Sequence, residues 1–372
     1  MVYFSTNTAT SRRKAIHMDN SIGNRKQIWN EEASKRAKER WDQIQHPLHG
    51  LGLLEDAIVQ IAGLTGDADI SLDKKAVIIF CADNGVTKEQ VAQTDSFVTG
   101  IVAGNLVRGT TAVCRMAAVH NVNVIPVDVG IKDFPGVHGV IDRRISNGTR
   151  NMLHGPAMTR SEAERALKAG IDLAGELKQK GYRLLGVGEM GIGNTTTSSA
   201  CASVLLEQDP AVMTGRGAGL SDAGLRRKIE VIREAIQRNH LDGRGSLYPD
   251  TIGILARVGG FDLLGMCGLY IGGYLQRIPL LIDGFASSVA ALAAVRICPA
   301  CESAMLASHV SSEPAAKMVL DALEKEPLIT AGLHLGEGTG AVLAMPMLDM
   351  ALAVYRECET FEEGGVEAYR PL

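Results

Sequence analysis

The chain has 372 residues, with 38 lysines and arginines against 42 aspartates and glutamates, and its formal net charge of −4 offers no basic field for nucleic acid. Any phosphate that it binds is therefore expected to be held locally. The richest apolar stretch, residues 280–297, contains Asp283 and Arg296, so no membrane span is predicted.

Helical and strand patterns alternate along the chain. Apolar residues at helical spacing predict helices over residues 26–63 with a break at 47–52, and then over 98–119, 161–180, 195–205, 222–238, 250–275 and 340–355. Continuous apolar runs predict strands at 75–81, 122–129, 182–187, 278–282 and 304–308. This alternation predicts an α/β fold with a doubly wound, mostly parallel, Rossmann-like sheet. In such a sheet, ligands bind at the carboxyl ends of the strands.

The N-terminus and the cysteines indicate a cytoplasmic protein. Residues 1–22 include basic residues but no apolar segment, so a disordered tail is predicted rather than a secretory signal. The seven cysteines are scattered and odd in number, which is typical of a reduced cytoplasm. Cys298 and Cys301 form a lone C-x-x-C pair, which is interpreted as structural rather than redox-active because no second pair or nearby histidine accompanies it.

A glycine-rich stretch after a predicted strand allows three interpretations. Residues 186–191 read GVGEMG, a formal match to the G-x-G-x-x-G pattern of dinucleotide-binding loops. A dinucleotide-binding loop is the least favoured interpretation. It would need a second strand that ends in an acidic residue about twenty positions further on, and the sequence predicts none there. The carboxylate of Glu189 would also repel a pyrophosphate. The other two interpretations are a loop that binds a phosphate, here called the phosphate cradle, and a purely structural turn. The cradle would use Gly191, Gly193 and Asn194 at the start of the next helix.

A second glycine-rich stretch, residues 215–228, reads GRGAGLSDAGLRRK. It combines a flexible loop, a helix start and cations that suit a phosphate or a carboxylate. Arg226 and Arg227 are interpreted as a solvated helix face. Lys228 shares a face with Leu225 and is the better candidate to point inward.

A third stretch, residues 333–341, places Glu337 between two glycines. Its carboxylate can act as a general base if partly desolvated, or the loop can simply cap the next helix. His334 and His309 are interpreted as packed histidines. Ser311 precedes a predicted helix start, which it can cap, or it can hold a phosphate. The H-E-x-x-H, G-x-S-x-G and P-loop patterns do not occur, so metal-dependent, serine and nucleoside-triphosphate hydrolysis lack their usual signals.

Several motifs occur together between about Lys75 and Tyr355: ADNGV, NGTRNMLHGPAM, GEMGIGNTT, GRGAGLSDAGLRRK, DGF, SSEP and LGEGTGA. In this combination and order the sequence resembles the nicotinate-nucleotide:dimethylbenzimidazole phosphoribosyltransferase family. The resemblance implies a pentosyltransferase that moves the phosphoribosyl group of nicotinate mononucleotide to an aromatic base for the lower ligand of cobalamin. Nicotinate leaves and the anomeric carbon is inverted. Neither a metal nor a cofactor is implied.

The resemblance also assigns site residues. Glu337 is implied to be the base that takes the proton from the incoming azole. Glu189 is implied to stabilise developing positive charge or to assist that base. The ribose phosphate and the ribose are implied to contact Gly191, Gly193, Asn194, Lys228, Ser311 and Asp283.

The family architecture implies a dimer, of identical or different chains. It also implies that the helical segment 23–70 and the C-terminal part 331–372 form a small helical domain beside a core domain of residues 71–330.

Some positions depart from the family pattern. Asn84 replaces a histidine that many members have, and the segment 46–52 is altered. Thr94 keeps the hydroxyl of the base-pocket segment, but the glutamine that commonly follows is missing. Purines, phenols and other benzimidazoles are therefore alternative acceptors. An NAD-dependent oxidoreductase and a non-catalytic partner subunit are the less favoured alternatives.

Overall fold

The computed structural model describes residues 28–243 and 249–369, so the predicted tail of residues 1–22 lies outside the described residues. In the described part, the strands are β1 Lys75–Ala82, β2 Asn123–Gly130, β3 Ile141–Asp142, β4 Leu184–Met190, β5 Leu280–Ile282 and β6 Met305–Ala307. They form one sheet in the order β3-β2-β1-β4-β5-β6, and every neighbouring pair is parallel. This confirms the doubly wound α/β prediction. The strand order reverses between β1 and β4, which is where ligands bind in such sheets.

The α-helices of the described residues connect and cover these strands. They are α1 Glu31–Gln43, α2 Leu53–Thr65, α3 Phe97–Arg108, α4 Ala112–Val119, α5 Arg160–Gln179, α6 Asn194–Leu205, α7 Pro210–Met213, α8 Asp222–Arg238, α9 Thr251–Val258, α10 Phe261–Gln276, α11 Phe285–Ile297, α12 Ala316–Ala322 and α13 Thr339–Glu357. Short 3-10 helices lie at Gly85–Glu89, Met152–His154 and Pro299–Ala304.

Two predicted helices are each broken in two. In the segment 98–119, α3 ends before Gly109, which adopts a left-handed φ of 72°. The next helix, α4, begins three residues after this glycine. The segment 250–275 is interrupted at Gly259 and Gly260. By composition alone, residues 97–119 are long and apolar enough to cross a membrane. In the structure neither α3 nor α4 approaches the roughly 20 residues that a span needs, and Ala103 and Leu106 of α3 are packed in the core.

Each face of the sheet is covered by its own set of helices. Along β1, Ala76, Ile78 and Phe80 face a core that contains residues of α5, α10 and α11. The alternate residues, such as Ile79, belong to the opposite cluster, which includes residues of α1, α2, α3, α4 and α13. In that cluster Trp41 of α1 and Tyr355 of α13 have ring centroids 5.2 Å apart. The N-terminal and C-terminal helices thus share one apolar core with this face of the sheet and with α3 and α4, and the division into a small domain and a core domain stays a prediction.

Candidate active site

Polar side chains collect at the carboxyl ends of β1, β4 and β5, beside the point where the strand order reverses. Asp83 and Asn84 follow β1, Glu189 lies at the end of β4, and Asp283 follows β5. Because parallel strands end at the same edge of a sheet, these groups are brought together although they are far apart in the sequence.

Glu189 is partly buried and is held by the loop that follows it. The Asn194 side-chain amide, at the start of α6, donates a hydrogen bond to Glu189 Oε2. Burial raises the pKa of Glu189 from its ordinary value of 4.5 to about 8, and the nearby carboxylate of Asp262 adds to this, while the Asn194 hydrogen bond opposes it. The carboxylates of Asp283 and Glu337 also raise its pKa.

The loop that carries Glu337 lies directly on β4. A Cβ built on Gly188 would lie 2.6 Å from the backbone nitrogen of Gly338, so only glycine lets the loop approach this closely. A Cβ on Gly336 would lie 3.3 Å from Glu189 Oε1, so the loop that carries Glu337 lies against Glu189. Glu337 itself has a φ of 57°, a left-handed conformation that costs a non-glycine residue energy and is typical of functional sites.

Asp283 fixes this loop. Its carboxylate accepts hydrogen bonds from the backbone N–H groups of Gly338 at 3.0 Å, Gly340 at 2.8 Å and Ala341 at 3.2 Å. These are orphan donors at the N-terminus of α13, where a negative charge is also favoured by the helix dipole. Asp283 therefore positions Glu337. Its implied contact with the ribose stays a prediction.

Burial also disfavours the ionised forms of Glu337, Asp83 and Asp262. Burial raises the pKa of Glu337, with the charge of Asp283 acting in the same direction, and raises the pKa of both Asp83 and Asp262 to about 6. Oε2 of Glu337 is buried without a protein partner. A carboxylate whose pKa lies nearer neutrality is better suited to exchange a proton with a bound base.

The raised pKa of Glu189 predicts a pH-dependent stability. The folded chain holds this proton more tightly than the unfolded chain, so its stabilising effect is full below pH 4.5 and is lost as the pH rises to about 8. In this window Glu189 should lower the free energy of unfolding by up to about 1.4 kcal/mol per pH unit. Glu189→Gln should remove that contribution. Urea unfolding of both proteins across the window checks this, and equal pH slopes would contradict it.

The predicted phosphate cradle lies at the N-terminus of α6. Gly193 has a φ of 91° and turns the chain into the helix, while the Thr195 N–H donates to the Asn194 side-chain oxygen at 2.6 Å. Gly191 passes so close to the carbonyl of Ala82 that a Cβ would collide with it. The helix dipole favours an anion at this end.

A buried ammonium group faces this helix terminus. Lys228 is fully buried, as the sequence indicated, and its Nζ donates to Thr195 Oγ1 at 2.8 Å and to the Gly215 carbonyl at 3.1 Å. Burial lowers its pKa to about 8, and Glu313 opposes this shift. Such a cation gains from an incoming phosphate, whose charge would compensate its desolvation.

Ser311 and Glu313 complete the far side of the cradle. Ser311 is buried, and its Oγ accepts the Glu313 N–H at 3.3 Å. Glu313 Oε1 accepts the Gly217 N–H at 3.0 Å and so holds the 215–217 loop beside Lys228. The 215–217 loop and the start of α6 thus both contact Lys228, and the roles of these residues in phosphate binding stay a prediction.

Other predicted residues have different outcomes. Thr94 is exposed in the loop before α3, so its role in base binding stays a prediction. His309 is buried as predicted, against Gly340, but the interpretation of His334 as a packed residue is wrong, since it is exposed. Arg226 and Arg227 are exposed as predicted, and Arg227 forms an ion pair with Glu89.

Sequence reasoning missed Asp262, which is fully buried at the start of α10. Its Oδ2 has no protein partner, and a Cβ on Gly191 would lie 3.0 Å from that atom. The Gly259-Gly260 pair just before Asp262 could have indicated a helix start at this point. The apolar spacing instead predicts one continuous helix over residues 250–275.

The dinucleotide interpretation of residues 186–191 is not supported. Gly186 and Gly188 lie inside β4 and not in a phosphate-binding turn. Because they have no side chains, α13 packs closely against Gly186 and the Glu337 loop against Gly188. In the first strand-to-helix turn of the sheet, where such a fingerprint belongs, the chain reads ADNG.

Comparison with known proteins gives one consistent result. A family model described as Phosphoribosyltransferase (DBI_PRT) matches residues 27–366. A nicotinate-nucleotide–dimethylbenzimidazole phosphoribosyltransferase of Ruminiclostridium cellulolyticum is 44% identical over 343 residues, covering 92% of this chain and 96% of the relative. The enzyme of the same name from Acetivibrio thermocellus is 46% identical over 332 residues, covering 89% and 93%. The crystal structure of CobT from Thermus thermophilus superposes with a TM-score of 0.85 at 38% identity, covering 91% of this chain and 100% of that one.

Proposed function

The chain belongs to the DBI_PRT phosphoribosyltransferase family, and we propose that it transfers the phosphoribosyl group of nicotinate mononucleotide to 5,6-dimethylbenzimidazole or a related base. The products are nicotinate and α-ribazole 5′-phosphate, a step in assembling the nucleotide loop of cobalamin. One observation carries the proposal for this chain's own residues. The loop that carries Glu337 lies against Glu189, which accepts a hydrogen bond from Asn194 at the start of α6, and the buried Lys228 contacts Thr195 at the same helix end.

The phosphate end of the substrate is proposed to lie between α6 and Lys228. We propose that Gly191, Gly193 and Asn194 contact it from the side of α6 and that Ser311 contacts it from the other side; the position of Gly193 and Asn194 at the start of α6 supports this. Anchoring the phosphate places the ribose toward Glu189 and Glu337. Because binding energy from the phosphate fixes the reacting carbon, it contributes to the rate as well as to affinity.

Glu337 is proposed as the general base. The departing nicotinate carries a cationic ring nitrogen before it leaves, so it needs no strong acid. The attacking azole must instead lose a proton, and Glu337 Oε2, buried without a protein partner, is available to take it. Glu189, when ionised, stabilises the positive charge that develops on the ribose. Attack from the face opposite nicotinate inverts the anomeric carbon.

A competition experiment addresses which acceptor base the chain selects. The purified chain is given nicotinate mononucleotide with an equimolar mixture of dimethylbenzimidazole, adenine and phenol. We expect nicotinate release that depends on an acceptor, and a benzimidazole product in excess. No nicotinate with any acceptor would contradict the proposal, and a dominant adenine or phenol product would reassign the base.

Lys228→Met tests the phosphate site. Loss of a charge-assisted contact worth about 1.5–3 kcal/mol should raise KM for nicotinate mononucleotide by about 10–100-fold, with a smaller effect on kcat. Methionine keeps much of the buried volume, so the variant is expected to fold. Arg226→Met, which removes an exposed cation from the same helix, is the matched control and should leave KM unchanged. An unchanged KM in Lys228→Met would exclude the phosphate contact.

The assembly and location are proposed on the family resemblance. We expect a cytoplasmic homodimer, which light scattering of the purified chain checks by its mass. Activity of the chain purified alone would exclude the alternative that it serves as a non-catalytic subunit of a heterodimer.

A further inference from the structure

The Cys298–Cys301 pair lies at the other edge of the sheet from the glutamates, just before β6. Cys298 follows the last residue of α11, and Cys301 lies in the 3-10 helix Pro299–Ala304. All seven cysteines of the chain are free thiols in this structure. The reaction proposed above uses neither of these two.

The backbone places the two cysteines at the ends of one turn. The Cys301 N–H donates to the Cys298 carbonyl at 3.0 Å, a bond from residue i+3 to residue i. Turns of this kind keep their end Cα atoms within about 7 Å, and disulfides join Cα atoms about 4.4–6.8 Å apart. The pair can therefore be bridged without a large movement of the backbone.

The two thiols differ in access and acidity. Cys298 is half-buried next to the exposed residues Pro299 and Ala300, whereas Cys301 is fully buried. A hydrogen bond with the Cys301 side chain is the main cause that lowers the pKa of Cys298 to about 7, while burial raises the pKa of Cys301. Near neutral pH Cys298 is thus the more accessible and the more readily ionised thiol, and Cys301 stays protonated beside it.

We propose, against the structural interpretation of this pair from its sequence, that Cys298 and Cys301 are a redox-active dithiol that forms an intramolecular disulfide by exchange with a low-molecular-weight disulfide. The Cys298 thiolate attacks one sulfur of that disulfide, forms a mixed disulfide and expels the first thiolate. Cys301 gives its proton to solvent and attacks Cys298 Sγ, which expels the second thiolate. One protein dithiol is oxidised and one small disulfide is reduced to two thiols.

The test uses the folded chain carrying Cys358→Ser, because Cys358 is exposed and would react by itself. The protein is incubated with oxidised glutathione, denatured in an alkylating reagent and digested with trypsin. The peptide 297–317 contains both cysteines of the pair and no other. We expect this peptide to be unalkylated and two hydrogen atoms lighter than the same peptide with two free thiols. Cys298→Ser should leave Cys301 alkylated, and Cys301→Ser should trap glutathione on Cys298.

Three results would overturn the proposal. The first is alkylation of both Cys298 and Cys301 in the Cys358→Ser parent. The second is a mixed disulfide between glutathione and Cys298 in that parent that is not converted to the intramolecular disulfide. The third is glutathione bound to Cys301 in the Cys298→Ser variant. The first would show that the pair does not react, the second that Cys301 cannot resolve the mixed disulfide, and the third that Cys301 reacts directly.

Discussion

Glu337→Gln is expected to lower kcat for nicotinate release by about 10²–10⁴-fold, the usual contribution of a positioned general base. Glutamine keeps the length and shape of the side chain but cannot accept the proton of the incoming azole. The phosphate and ribose contacts are provided by other residues, so binding of nicotinate mononucleotide should persist. Steady-state nicotinate release and calorimetric titration with the substrate measure the two effects separately.

The backbone conformation of Glu337 requires a control, because the substitution falls on a residue in the left-handed region. Glu207 has a φ of 55° and is exposed outside the site, so Glu207→Gln makes the same chemical change in the same conformation. It should leave kcat unchanged. Turnover by Glu337→Gln within a few fold of the parent would remove Glu337 as the base and would leave Glu189 as the remaining candidate.

Asp283→Ala should have the second large effect, and it should reduce both stability and activity. It leaves the backbone N–H groups of Gly338, Gly340 and Ala341 without their buried acceptor. An unsatisfied buried donor costs about 1–3 kcal/mol, so a loss of about 3 kcal/mol or more in the free energy of unfolding is expected. Because the freed loop carries Glu337, kcat should fall by more than KM changes. Denaturant unfolding and steady-state kinetics measure these effects.

Asp283→Asn separates positioning from folding. Its amide oxygen can still accept from Gly340 and Ala341, but its amide nitrogen would face the N–H of Gly338, so the loop is only partly restrained. We expect near-parental folding with kcat between those of the parent and the alanine variant. If both variants kept parental kcat, Asp283 would not position Glu337.

The sequence predicted the sheet well because its strands are buried on both faces and read as continuous apolar runs. Residues 75–81 and 122–129 correspond closely to β1 and β2. The strand β3 was missed because two residues cannot produce a pattern. Helix breaks at Gly109 and at Gly259–Gly260 were missed because apolar spacing continues across them, and only the backbone conformation at the glycines ends each helix.

The residues proposed for the site come from the resemblance, and the sequence alone does not show how the fold brings them together. The resemblance indicates Glu189 and Glu337. No local sequence pattern, however, predicts that the Glu337 loop packs against β4 at Gly188, where a side chain would collide with it. The same holds for Asp283, whose carboxylate serves a helix that begins more than fifty positions later. Contacts between residues so far apart in the chain leave no periodic trace in the sequence.

The most direct test of the proposed reaction is NMR of the product that the purified chain makes from nicotinate mononucleotide and 5,6-dimethylbenzimidazole. We predict one nicotinate released for each ribosylated base, with the anomeric proton in the α configuration. Absence of nicotinate, release without ribosylation of the base, or a product of β configuration would contradict the account.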